Sequence, residues 1–203
     1  MIGCGKVPQA RALHIGVDRI VRMLLVSGSL REQSTSTATL RTAAMVAPAG
    51  IEAVLYDGLA GLPAFNPDDD GVQLPPAVAS LRAAIRHADA LVVSTPEYAG
   101  ALPGSFKNLL DWMIGDDQPG SIYRKPVGWI NVSAYGAVNA HDSLSKVLRY
   151  ASADVVDPAC QDVAVARSMI TSAGLIADPD VQKALLGVLQ LLSNHVLSRE
   201  TTE

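Results

Sequence analysis

At 203 residues the chain is sized for one domain with a full hydrophobic core and needs no disulfide or metal staples. Hydrophobic residues make up 49% and charged residues 18%, which excludes a disordered tail, and a net charge of -4 lacks the clustered cations that a nucleic-acid backbone requires. No stretch approaches the apolar length of about 20 residues that spans a bilayer, and Cys4 and Cys160 stand far apart in no metal-ligand spacing, so a reduced, cytoplasmic setting is expected.

Residues 1–21 mix Gly, Pro, Arg and His without sustained period and read as an extension outside the core, and Gly3-Cys4-Gly5 is no dinucleotide fingerprint because Pro8 stands where the third glycine belongs. Met23-Leu24-Leu25-Val26 predicts a buried strand. It runs into Gly28-Ser29-Leu30-Arg31-Glu32-Gln33-Ser34, and a helix follows from Thr35 with Leu40, Ala43, Ala44 and Ala47 on one face. Glycine, hydroxyls and an arginine at a helix N-terminus suit a dianionic phosphate, while an ordinary βα loop whose serines only cap the helix uses the same residues. Residues 51–57 alternate as a second strand, followed by a long Gly/Pro/Asp-rich loop over residues 58–74 with a functional or oligomer-facing role in view. Its run Asp68-Asp69-Asp70 reads as solvated rather than metal-binding, since it lacks further ligands.

Pro75-Pro76 opens the next helix, with Val78, Leu81 and Ile85 inward and Arg82 and Arg86 outward. Ala90-Leu91-Val92-Val93-Ser94-Thr95 predicts a third strand, apolar enough to be buried on both faces. After a Pro/Gly-rich loop, a helix from Gly104 carries Phe106, Leu109, Leu110, Met113 and Ile114 on its core stripe. Residues 127–133 form a fourth strand; a helix through Ser143, Val147 and Tyr150 comes next, then a weaker fifth strand at either residues 154–156 or 163–165. Asp178-Pro179-Asp180 caps a last helix carrying Val181, Leu185, Val188, Leu189, Leu192 and Val196.

Strands alternating with helices predict an α/β protein with a doubly wound five-stranded parallel sheet in three αβα layers, flavodoxin-like in order 2-1-3-4-5. The domain is expected over residues 22–198, with a short tail over 199–203. In that order ligands sit at the carboxyl ends of strands 1 and 3, which brings the Gly28 loop and the Pro96 loop to one crevice.

These residues carry a resemblance. Gly28-Ser29-Leu30-Arg31-x-x-Ser34, with Pro96-Glu97-Tyr98-x-Gly100-x-x-Pro103-Gly104-x-x-Lys107-Asn108-x-x-Asp111-Trp112 about sixty residues later, resembles the NAD(P)H-dependent FMN reductases, a family with relatives acting on quinones, azo dyes and chromate. The resemblance implies bound FMN, NADPH or NADH as electron donor, a small-molecule acceptor, and a homodimer or dimer of dimers. Carried over by position, it implies Ser29, Arg31 and Ser34 at the FMN phosphate, helped by Ser36 or Thr37, and Pro96, Glu97 and Tyr98 along the ribityl and ring. Ser133 and Gly136 belong to a third loop that matches the family only in part. Ser36 replaces the family's usual Asn, Ala99 replaces another, and Val138 and Asn139 stand where small glycines are expected.

The chemistry belongs to the cofactor, so no general base is assigned, and no metal is implied. His14, His87, His141 and His195 share no motif and read as surface or capping residues, and Glu97 has a competing role as an interface ion-pair partner. Lys107 and Asn108 are expected to support loop or dimer geometry, and Trp112, Met113, Leu186 and Leu191 to extend apolar surface toward a partner. Two other functions use the same fold: a noncatalytic scaffold or regulator with weakened FMN binding, and an electron carrier, for which the chain has too few aromatics and too little acidity.

Overall fold

The computed structural model describes residues 19–200, so the expectations placed on residues 1–18, with Cys4 and His14, and on residues 201–203 lie outside the described residues. Five parallel strands, β1 (Val21–Ser27), β2 (Ile51–Tyr56), β3 (Ala90–Ser94), β4 (Pro126–Asn131) and β5 (Asp154–Asp162), lie in the order β2-β1-β3-β4-β5. The connecting helices are α1 (Thr35–Val46), α2 (Pro76–His87), α3 (Gly104–Ile114) and α4 (Val138–Tyr150), with α5 (Pro179–Glu200) closing the chain. The expected order and layering are therefore observed.

Alternation along the strands builds two cores. Val21, Met23 and Leu25 of β1 with Ala90 and Val92 of β3 face α1 and α5, whereas Leu24 and Val26 with Leu91 and Val93 face α2, α3 and α4. Both sides of β3 are covered, which is why its sequence is an unbroken apolar run. All six apolar residues expected on the last helix are buried. The fifth strand takes the first candidate segment: it begins at Asp154, shifts register between Val127 and Trp129 of its neighbour, and ends at Asp162, while the second candidate lies just past it, where Val163 and Val165 N–H groups donate to Asn131 and Val132 carbonyls at 2.8 and 3.1 Å.

Arg82 corrects the outward reading of its helix. It is 5% exposed, donates from Nε to the Trp112 carbonyl at 2.9 Å and pairs with Asp70 at 2.8 Å. Asp70 is thus drawn out of the solvated acidic run, while Asp68 and Asp69 stay exposed. Trp112 and Met113 are likewise buried and offer no partner face. Trp112 lies edge-on to Phe65 and donates its indole N–H to the Pro63 carbonyl at 2.9 Å. Asn108 grips the same segment, accepting from Phe65 N–H at 2.7 Å and donating to the Pro63 carbonyl at 2.8 Å, so the long 58–74 loop is pinned onto α3. Buried Lys125 spans the end of α2, donating to the Ile85 carbonyl at 2.8 Å and to the Ala88 carbonyl.

At the carboxyl edge of the sheet, Gly28 N–H donates to the Ser94 carbonyl at 2.8 Å, extending the β1–β3 ladder one residue past the end of β1. A Cβ at residue 28 would lie 2.3 Å from Thr95 Oγ1 and 3.0 Å from Phe106 Cγ. Only a residue without a side chain lets the two loops start side by side. Gly28→Ala is expected to destabilise the fold by about 1 to 3 kcal/mol, the range for overpacking a filled site, read as a lower urea midpoint at unchanged slope; an unaltered midpoint would show that Thr95 yields freely.

Candidate active site

The loop after β1 is organised by hydroxyls. Ser27 Oγ accepts the Ser29 N–H at 3.3 Å and shares a hydrogen bond with Thr37 Oγ1 at 2.8 Å, tying the end of β1 to the first turn of α1. Ser29 Oγ accepts the Arg31 N–H at 3.3 Å, and Ser34, the N-cap in extended conformation, accepts the Thr37 N–H at 3.3 Å. Ser34 therefore caps the helix, as the plainer reading of the loop expects, and the other hydroxyls fold the chain around the helix start. Thr35 and Ser36 N–H groups at that start have no intrahelical acceptor. Arg31 is exposed and has no ion-pair partner among the described residues. Ser36 is 1% exposed, and the Thr37 hydroxyl is engaged by Ser27.

Next to this start lies an open cleft of about 570 Å³, lined by Thr35, Thr95, Pro96, Glu97, Ser133 and Tyr135 together with parts of the loops after β4 and β5. Of the residues picked from the sequence, Pro96, Glu97 and Ser133 line it directly. Tyr98 and Gly136 flank it without lining it. Thr35, Thr95, Tyr135, Ala137, Val165 and Ala166 were not singled out. Thr95 could have been found as the residue between the third strand and Pro96; Val165 and Ala166 gave no signal while the fifth strand had two placements.

Glu97 spans the two walls. Its carboxylate accepts the Ala140 N–H at 3.0 Å and faces the Asn139 amide at 3.5 Å, supplying the N-terminal cap that α4 lacks, because its own N-cap residue is Ala137. With the carboxylate held there, Glu97 lines the cleft from the β3 side together with Thr95 and Pro96. In the β4 loop the left-handed residues are Gly136 (φ +91°) and Ala137 (φ +45°), not Val138 and Asn139, which already belong to α4. Asn131 holds the turn, donating to the Gly136 carbonyl at 2.5 Å and to Asp162 at 2.8 Å.

His141 is buried rather than on the surface, with Nδ1 2.9 Å from the Ala137 carbonyl and its ring tilted toward Trp129. His195 contacts Asp154 at 2.7 Å and His87 is exposed at the end of α2, and neither lines the cleft. Burial pushes the Cys160 thiol up to about 11, which keeps it protonated and unreactive. A larger concavity of about 680 Å³ lies at the opposite edge of the sheet, but its charges answer one another, Arg19 with Asp89 and Arg86 with Asp116, and Lys125 is committed to α2. Among the described residues no group of three His, Cys, Asp or Glu could hold a metal, and no helix is long and apolar enough to cross a membrane.

Between Tyr98 and Ala101 the chain makes a two-residue hairpin, with N–H to O distances of 2.9 and 3.0 Å in the two directions. Its central residues, Ala99 (φ +50°) and Gly100 (φ +73°), are both left-handed, the conformation that Asn-Gly adopts most readily. The alanine in place of the usual Asn thus has a conformational cost of about 1 to 2 kcal/mol. Ala99→Asn is expected to recover part of it and raise Tm by about 1 to 4 °C; a lower Tm in a thermal scan would count against the strained turn.

Residues 21–166 match the family described as NADPH-dependent FMN reductase. An NAD(P)H-dependent FMN reductase of Pseudomonas aeruginosa is 31% identical over 175 residues, 85% of this chain and 93% of that protein. A quinone reductase of Escherichia coli is 34% identical over 122 residues, 58% of this chain and 62% of that protein. Among solved structures, a flavoenzyme NAD(P)H:(acceptor) oxidoreductase from Paracoccus denitrificans shares the fold with a TM-score of 0.75 at 24% identity, covering 88% of this chain and 98% of that one. The chain belongs to the NADPH-dependent FMN reductase family and is an oxidoreductase of the FMN- and NAD(P)H-dependent kind.

Proposed function

We propose that the protein binds FMN with its phosphate at the start of α1 and its ring in the cleft between the β3 and β4 loops, and reduces a small-molecule acceptor at the expense of NAD(P)H. The observation that carries this is the continuity of the two places: Thr35, the first residue of α1, is also a wall of the cleft. The donor set fits the group. Unpartnered N–H groups and the positive helix end face one side, and the exposed Arg31 guanidinium supplies a bidentate cation. The hydroxyls of Ser29 and Ser34 complete the set. Buried Ser36 contributes through its main-chain N–H, in place of the amide that the family usually has there.

When bound, FMN supplies the redox chemistry: NAD(P)H gives up a hydride, and a quinone that receives that hydride and one proton from water leaves as the hydroquinone. The protein's part is position and charge. Glu97 fixes the distance between the cleft walls by capping α4, while the main chain of residues 95–97 and 133–137 presents its polar groups to the flavin edge. The cleft is open to solvent, with Tyr135 98% and Tyr98 46% exposed at its rim, so nicotinamide and acceptor have access in turn. Acceptors of this class include free flavin, quinones, azo compounds and metal oxyanions. Relatives named as quinone reductases favour the quinone.

We further propose a cytoplasmic homodimer or dimer of dimers, now resting on the family and on exposed Leu191 and Leu197 of α5 rather than on Trp112. Light scattering at micromolar concentration should give at least twice the mass of one chain; a monomer would remove this assembly.

Arg31→Ala is expected to weaken FMN binding by about 1 to 3 kcal/mol, the range for a charge-assisted contact, in a fluorescence-quenching titration. An unchanged dissociation constant would place Arg31 outside the cradle. Purified protein that neither is yellow nor takes up FMN would favour the noncatalytic scaffold, and FMN binding without NAD(P)H oxidation would favour the carrier.

A further inference from the structure

A second concavity, of about 310 Å³, lies beside α1. It shares no lining residue with the flavin cleft, although Ser34 and Arg167 on its walls are chain neighbours of Thr35 and Ala166 on the walls of the cleft. Its volume is at the lower end for small-molecule sites and suits a small ion better than a nucleotide.

Both walls are held in place. On one, the N-cap Ser34 with Ala38 and Arg41 stands on a single face of α1, at helical spacing. The other is the chain beyond β5, which contributes Arg167, Thr171 and Ser172. That chain is a closed turn: Thr171 N–H donates to the Leu175 carbonyl at 2.8 Å, and Gly174 N–H to the Thr171 carbonyl at 2.9 Å. Ile176 N–H donates to the buried Thr42 hydroxyl at 2.9 Å, which fastens the turn to α1. Where the walls meet, Gly174 is left-handed (φ +72°), and a Cβ there would lie 3.3 Å from Arg41 Nη1, so the glycine leaves the guanidinium its place.

The charge inside is unbalanced. Neither Arg41 nor Arg167 has a carboxylate partner or a side-chain hydrogen bond among the described residues, whereas Arg19, Arg22 and Arg149, also on the surface, each pair with a carboxylate. Glu32 is the single carboxylate in the lining, so the site keeps net positive charge. Two guanidinia and several hydroxyls in one small cavity suit a tetrahedral oxyanion, which accepts from both forks at once.

We propose that Arg41 and Arg167 bind a free oxyanion of the phosphate and sulfate class, and that its occupancy weakens FMN binding. The site stands on its own geometry; the coupling rests on the flavin placement above. Two physical effects produce it. Ser34 Oγ already accepts the Thr37 N–H, so its hydroxyl has one proton to give, and an anion in the concavity competes with the flavin phosphate for that donor. The two anions also repel each other across the same helix start. A dianionic oxyanion is the shared chemistry, with the flavin's own phosphate as its other source; loading the protein with FMN first separates the two.

The test is isothermal titration of the FMN-loaded protein with sodium phosphate, the ionic strength held constant with chloride. The wild type should bind about one equivalent per chain, and the Arg41→Gln, Arg167→Gln double variant, changed at two exposed positions, should bind none. Circular dichroism verifies that the variant is folded; if it is not, the single variants serve, each expected to weaken phosphate about tenfold through the loss of one charge-assisted contact. In a parallel fluorescence titration, phosphate should raise the wild-type FMN dissociation constant about fivefold, within the usual range of coupling between two sites, and then level off. No binding by the wild type, or an equivalent still bound by the variants, would overturn the site. FMN affinity reduced about tenfold or more in the variants without phosphate, the loss of a direct charge-assisted contact, would assign the arginines to the flavin phosphate and overturn it as well. An FMN dissociation constant that climbs in proportion to phosphate without levelling would show direct competition in the cradle and overturn the coupling. Failure of the protein to take up FMN at all would sink the flavin placement, and the same titration of the flavin-free protein would still decide the site by whether the double variant loses an equivalent.

Discussion

The hydrogen bond from Gly28 to the Ser94 carbonyl sets the constraint under which the whole carboxyl edge is built. It carries the pairing one residue past the end of β1, up to the last residue of β3, so the two loops separate abruptly, one toward α1 and the other toward α3. Parallel strands all deliver their loops to this edge, and the reversal of chain direction between β1 and β3 leaves the gap there uncovered. A crevice is therefore a consequence of strand order before any side chain is considered. What side chains add is its width. Glu97 reaches from the β3 loop to the N-terminus of α4, so that one charge-assisted contact both stabilises a helix without a capping side chain and sets how far apart the walls stand.

Two alanines in left-handed backbone, Ala99 and Ala137, sit on either wall of that crevice. Each costs on the order of 1 to 2 kcal/mol relative to glycine or asparagine, and such residues persist only where the surroundings over-determine them. Here they do: the Tyr98–Ala101 hydrogen bonds close the first turn, and the contacts of Asn131 with Gly136 and of His141 with the Ala137 carbonyl close the second. The two alanines thus raise conformational energy, and the contacts around them hold both turns in place.

Much of the fold was legible because apolar period and turn residues report directly on burial, as in β3 and α5. The misread positions share a cause. Arg82 was placed outward because a charge on a helix is ordinarily solvated, and nothing local reveals that Asp70, twelve residues earlier in a loop, enters the interior with it. Trp112 looked like spare apolar surface because its cover, Phe65 and Pro63, belongs to an irregular loop with no periodicity to read. The fifth strand was divided because Pro158 and two acidic residues interrupt its alternation, which the bulge absorbs. In the site, Pro96, Glu97 and Ser133 of the residues picked from the sequence line the cleft, but the capping role of Glu97 depends on a backbone N–H 43 residues away, and main-chain donors leave no mark in a sequence.

Charge placement is the remaining element of this economy of form. The chain is anionic overall, at -4, yet FMN and NAD(P)H carry phosphates, so attraction has to be generated locally against the mean field. The structure concentrates it around one helix start. Arg31 precedes α1, Arg41 lies in its second turn, Arg167 approaches from beyond β5, and the positive end of the helix adds its own partial charge. At the opposite edge of the sheet Arg19, Arg86 and Arg199 are neutralised by Asp89, Asp116 and Asp154. Composition cannot distinguish these two populations of arginine. Pairing does, and it leaves unbalanced positive charge at the end of the molecule where the strand order also leaves a crevice.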